Sequence, residues 1–138
     1  MNLKDALLDY RKWMDPVVWS NGLFVVNATL WASVGQLVCA KLLLIAGLVS
    51  AYHHRLFEQN RTFHRLDMFF SISALVVTIS VSLSKMNYHH WCTALIFLGI
   101  GLYLKRLAVH RDHDYDGFHT GWHECVFGGQ AVLVLSHL

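Results

Sequence analysis

The sequence predicts an all-α fold, a multi-pass transmembrane helical bundle of about five spans. Three observations carry that reading. The 138 residues are 55% hydrophobic and only 14% charged, with a mean hydropathy of +0.40, whereas an ordinary soluble domain carries about 25% charged residues. The apolar stretches are long enough to cross a hydrocarbon core of about 30 Å. The basic residues concentrate on alternate connections, as in an oriented membrane protein. With one proline, no internal repeat and no low-complexity segment, residues 1–138 read as a single integral membrane domain.

The elements follow in chain order. Residues 1–16 carry Lys4, Asp5, Asp9, Arg11, Lys12 and Asp15, unlike a cleavable signal peptide, which needs an apolar stretch close behind a basic start. Leu3–Met14 reads as an interfacial amphipathic helix with Leu7, Leu8 and Trp13 towards lipid. Val17–Tyr52 then contains one charge, Lys41. As a single helix those 36 residues would run about 54 Å, well beyond the bilayer core. Two helices joined near Ser33–Gln36 fit better, over about 17–33 and 37–54, with Lys41 snorkelling towards the joining side. The alternative is four spans, with one long tilted helix from Leu23 to His54. Met68–Ser84 holds no charge and Met86–Leu104 holds two histidines; they define spans at about 67–85 and 88–106. The last span is about 118–137. Cys39, Cys92 and Cys125 fall in apolar stretches with no zinc-ribbon or disulfide spacing, and read as small core residues.

Five spans place Lys4, Arg11, Lys12, Arg55, Arg61, Arg65, Lys105, Arg106 and Arg111 on the side of the N-terminus, and only Lys41 and Lys85 opposite. Nine against two makes the N-terminal side the cytoplasm, or the matrix or stroma of an organelle. Four spans would move Lys4, Arg11 and Lys12 across and weaken the bias.

Polar groups at membrane depth are costly and usually functional. His119 and His123 stand four residues apart, on one helical face. His54 closes the second span, with Ser50 one turn before it, and Asp67 opens the third. Under the five-span arrangement all five residues reach the same depth beneath the basic face. Three imidazoles with one open position describe a catalytic zinc site, in which zinc can bring the pKa of water to about 7. Asp67 is the candidate proton acceptor, or else an orienting partner of a ligand imidazole. Ser50 could bond the water or polarise a substrate carbonyl. Such a site would suit hydrolysis of a lipid amide or ester.

Plainer readings exist for each residue. His119 and His123 could be interfacial histidines, and His54 a polar cap beside Arg55. Ser50 could bond its own helix, and Asp67 could be a favourable acid at a helix N-terminus. His53 points about 100° away from His54 around the helix. His64, one turn before Asp67, could bond it but is assigned no role. Tyr88, His89, His90 and Trp91 read as an interfacial aromatic belt, and His110–Asp116 as a solvated loop whose Asp116 caps the last helix.

Ser50-Ala-Tyr-His-His54, Leu66-Asp67 and His119-Thr-Gly-Trp-His123 resemble, in order and placement, the signature of a membrane hydrolase superfamily. It contains the alkaline ceramidases, the adiponectin/progestin-type receptors and the myomaker-type proteins. Its pattern is Ser-x-x-x-His ending the second helix, Asp at the third and His-x-x-x-His in the last. The myomaker-type branch looks closest, through Asp114-Tyr-Asp-Gly-Phe-His-Thr-Gly-Trp-His-Glu-Cys125 and Leu66-Asp67-Met-Phe-Phe-Ser. The resemblance implies Zn2+ on His54, His119 and His123, with Ser50 and Asp67 around the metal-bound water, and a lipid-amide hydrolase fold. The superfamily has seven helices and this chain about five. The shortfall lies between the third helix and the last and keeps parity, so the last helix still enters from the side of the site.

Three functions compete. The first is a zinc-dependent hydrolase of membrane lipids. The second is a non-catalytic accessory subunit of a larger membrane complex that retains structural metal, with other membrane subunits as partners. The third is a b-type haem subunit using His54 and one of the His119/His123 pair as axial ligands. No nucleic-acid partner is expected.

Overall fold

The computed structural model describes residues 15–56, 60–110 and 115–138, so the amphipathic helix expected at Leu3–Met14 lies outside the described residues. Among the described residues the regular elements are helices: α1 (Pro16–Ser20), α2 (Gly22–Ser33), α3 (Leu37–Leu56), α4 (Arg61–Ser82), α5 (Tyr88–His110) and α6 (Tyr115–Leu135). The all-α bundle is therefore as expected. Among the described residues three helices are long and apolar enough to cross a membrane: α3, α4 and the Tyr88–Ala108 part of α5. This is the pattern of a membrane protein. α6 has the length, but His119, His123, Glu124 and Gln130 lower its hydropathy.

The first expected helix is split in two. Asp15 caps α1 by accepting from the Val17 N–H at 2.8 Å, and Pro16 occupies the first turn, where its missing N–H is harmless. Continuing the helix would require the Asn21 N–H to reach the Val17 carbonyl. Two side chains take that acceptor instead: Ser20 Oγ donates to it at 2.8 Å and Asn21 Nδ2 at 2.8 Å. The Asn21 N–H turns to Val18 O at 3.2 Å, and the chain restarts as α2.

The second break removes the long helix on which the four-span alternative is built. Gly35 adopts a left-handed φ of +79°, which glycine alone takes without cost. Its N–H donates to Ala32 O at 3.0 Å and the Gln36 N–H to Trp31 O at 2.9 Å, the paired bonds of a Schellman motif. No continuous helix runs from Leu23 to His54; α2 and α3 lie side by side instead. At Gly47 an added Cβ would stand 2.6 Å from Phe24 Cβ, so the missing side chain lets α2 approach α3 closely.

Two other helices begin earlier than expected. Asn60 caps α4, its Oδ1 accepting from the Thr62 and Phe63 N–H groups at 2.9 and 3.3 Å. Asp67 therefore lies almost two turns inside α4 and does not open it, which removes its plain reading as a helix-terminal acid. α6 starts at Tyr115, so Asp116 falls within its first turn.

α3 packs between α2 and α4, and α6 packs on α5, α2 and α1. Phe24, Trp31, Cys39, Leu43, Ala74 and Leu133 form the heart of the core. A polar bridge crosses it: Trp31 Nε1 donates to Gln130 Oε1 at 2.9 Å, Gln130 Nε2 to Thr78 Oγ1 at 2.9 Å, and Thr78 Oγ1 to Ala74 O at 2.8 Å. It ties α2, α6 and α4 together where water is excluded. The consecutive helices α4 and α5 have no extended contact. On α4 and α5, Val76 and Ile96 are exposed, as a lipid-facing surface requires.

Candidate metal centre

His54 occupies the last turn of α3, and His119 and His123 the first half of α6. Both α3 and α6 pack on α1 and α2, which brings these ends together. One ring nitrogen from each residue lies within 4.8 Å of the other two. The ring centroids are 4.6 Å apart for His54 and His119, 4.8 Å for His119 and His123, and 6.3 Å for His54 and His123. A tetrahedral metal with nitrogen bonds of about 2.0–2.1 Å holds its ligand atoms about 3.3 Å apart. The ring nitrogens therefore need to close by at most about 1.5 Å, within reach of side-chain rotations. His54 Nε2 is buried and has no hydrogen-bond partner among the described residues. A buried acceptor without a partner is costly, and a metal ion would satisfy it. The three-histidine group can hold a metal ion, and its ligand set fits one.

His123 is held from outside the cluster by a residue that no motif marked. Ser20 Oγ lies 2.6 Å from His123 Nδ1. The same hydroxyl donates its single proton to Val17 O. Ser20 can therefore only accept from the ring, so Nδ1 carries the hydrogen and Nε2 keeps its lone pair. Such a bond sets tautomer and ring orientation in metal-ligating histidines. The edge of Phe24 against His123, with centroids 5.7 Å apart, packs the ring from another direction. The break at Asn21 that ends α1 is what aims Ser20 at α6.

Asp67 and Ser50 also arrive. Ser50 is buried on α3, one turn before His54, with its side chain within hydrogen-bonding reach of the Asp67 carboxyl group. Asp67 Oδ1 is buried with no hydrogen-bond partner among the described residues. His53 is buried outside the three-histidine group, with its ring 5.0 Å from His54 and 5.4 Å from the exposed His64. The 100° offset between adjacent helical positions explains the separation.

All of these groups except Ser20 border one cavity of about 380 Å³. Its head is formed by Ser50, His54, Asp67, His119 and His123. Its remaining wall is mostly apolar, with His53, His64, Ser71 and Gln130 among the lining residues, and continues past Leu75 and Leu98 to Ile79, Trp91 and Leu133. Asp67 to Ile79 spans twelve residues of α4, about 18 Å along the axis. Lys105, from the end of α5, also borders the head, with Nζ 5.0 Å from the Trp122 ring centre and 3.6 Å from Met68 Sδ. Trp91, read as an interfacial residue, also borders the cavity. Tyr88 is 77% exposed, as an aromatic belt would have it.

Searches against protein-family models, curated proteins and solved structures find no match to this chain.

Proposed function

We propose that this protein is a zinc-dependent membrane hydrolase that cleaves amide or ester bonds of lipids. The observation that carries the reading is the convergence of His54, His119 and His123 beside the Ser50–Asp67 pair, at the head of an apolar cavity. Zinc suits three neutral imidazoles with an open position. When bound, it supplies Lewis acidity, which acidifies water and polarises a carbonyl.

The chain's own groups supply the remainder. The apolar wall takes the acyl chain and keeps water away from all but the head of the cavity. Asp67 Oδ1 takes a proton as water oxygen adds to the carbonyl carbon, and returns it to the departing amine or alcohol as the C–N or C–O bond breaks. Ser50 holds the carboxyl group in place for both transfers. Ser20 keeps Nε2 of His123 turned into the site. With α2 and α6 also crossing, the five-span arrangement puts this head beneath the basic, cytoplasmic or matrix-facing surface.

One observation favours a second reading, an accessory subunit that keeps structural metal: α4 and α5 splay apart, and a partner's helix could seat there. The haem reading is weaker, because haem takes two axial ligands from opposite faces and leaves the third imidazole without a role. The test is elemental analysis of purified protein together with hydrolysis of a panel of lipid amides and esters. The hydrolase predicts about one zinc per chain, no Soret band, and turnover that is lost on chelation. Zinc without turnover, with a stable co-purifying membrane subunit, would favour the second reading. A Soret band would restore the third.

A further inference from the structure

We infer that the cavity selects lipids with an anionic head group, carboxylate or phosphate, and that Lys105 is the cation that holds it. This deepens the hydrolase reading and rests on it for the orientation of the lipid.

A lysine near the end of a membrane helix ordinarily snorkels to the interface, and its ammonium stays hydrated. The neighbouring Arg106 is exposed in that way. Lys105 is not: its side chain turns inward and borders the head of the cavity beside Asp67, His119 and His123. Nζ rests against Met68 Sδ and over the Trp122 ring. A thioether is a weak acceptor, and an aromatic face attracts a cation without neutralising it.

The charges bordering the cavity settle the preferred ligand. Among the described residues that line it, Asp67 is the one carboxylate and Lys105 the one lysine or arginine. They cancel, and a divalent metal on the three histidines leaves the head about two charges positive. A neutral head group would leave that excess uncompensated in a poorly hydrated space, whereas a carboxylate or phosphate would meet an ammonium already turned towards it. The apolar wall of about 18 Å demands an acyl chain on the same molecule. The ligand is therefore a chain-bearing anion, with its amide or ester beside the histidines and its charge at Lys105.

The test measures equilibrium binding of dodecyl phosphate, laurate and dodecanol to the purified full-length protein in nanodiscs, with inorganic phosphate as a chain-free control. Each series is run on zinc-loaded and chelator-treated protein. The two anionic amphiphiles should bind at least about tenfold tighter than dodecanol, the scale of one charge-assisted hydrogen bond. Lys105→Met should remove most of that preference and leave dodecanol unchanged, whereas Lys105→Arg should keep it. Thermal unfolding without ligand checks each variant, and Lys105→Gln replaces Lys105→Met where the latter is destabilised. The ranking of dodecyl phosphate against laurate identifies the head group, and either order supports the inference. Equal affinity for the three chains overturns it. So does a preference that survives both neutral substitutions, or inorganic phosphate binding as tightly as dodecyl phosphate. Preference without turnover of any lipid would sink the hydrolase and leave the head-group site standing.

Discussion

Ser20→Ala removes one oxygen that sits outside the metal centre and contacts no substrate. In the wild type that oxygen accepts from His123 Nδ1 at 2.6 Å and spends its own proton on Val17 O. Alanine leaves the ring free to exchange tautomers, and the Nε2–H form presents no lone pair to a metal. Loss of an outer partner of a ligating histidine typically weakens metal affinity about 10- to 100-fold, or about 1.4–2.8 kcal/mol. Zinc affinity measured by competition with a chromophoric chelator should fall by that amount. Nitrogen NMR of ¹⁵N-histidine-labelled protein without metal should show His123 protonated at Nδ1 in the wild type and shifting towards Nε2–H in the variant. Ser20→Thr, which keeps the hydroxyl, should recover most of both properties. In a His123→Ala background, Ser20→Ala should have no further effect on affinity, because its partner is gone. A merely structural role for Ser20 would lower the unfolding temperature in both backgrounds and leave the tautomer unmoved. An Nε2–H tautomer in the wild type, or zinc affinity unchanged in Ser20→Ala, would refute the reasoning.

The remaining predictions concern the ligands, the acid and the core. His54→Ala, His119→Ala and His123→Ala should each lose stoichiometric zinc on gel filtration; full occupancy in any one of them removes that residue from the centre. Asp67→Asn should keep zinc and lose turnover by about 100-fold or more, the usual contribution of a positioned acid–base group; wild-type turnover would take the proton transfers away from Asp67. Gln130→Leu breaks the bridge between Trp31 and Thr78 and should lower stability in detergent by about 1–2 kcal/mol with zinc affinity unchanged; an unchanged unfolding midpoint would show that the bridge contributes nothing. Gly47→Ala drives a methyl group into Phe24 and should cost about 1–3 kcal/mol; a neutral result would mean that α2 and α3 separate easily.

Composition and the apolar stretches were enough to read a helical membrane bundle, because lipid leaves the backbone few ways to satisfy itself. Spacing alone put His119 and His123 on one face. The split between α2 and α3 was also legible, since 36 residues with a single charge exceed one membrane crossing and Gly35 supplies the turn. The break at Asn21 was not: it depends on two polar side chains competing with an N–H for the Val17 carbonyl, a contest that hydropathy does not register. The start of α4 was misplaced for a related reason. Arg61, His64 and Arg65 look like loop residues by hydropathy, yet the Asn60 cap begins the helix before them.

Residue type and local periodicity settled which side chains were available and which helical face each one shared. Only the packing of helices decided which of them meet. Ser20 and His123 are 103 residues apart, and Trp31 and Gln130 are 99 apart. A sequence records neither separation as a contact, because closeness across the bundle depends on where helices cross and how each is rotated about its axis. The inward turn of Lys105 is of the same kind. Its neighbour Arg106 carries the same charge at the same depth, and only rotation about α5 gives one the cavity and the other the surface.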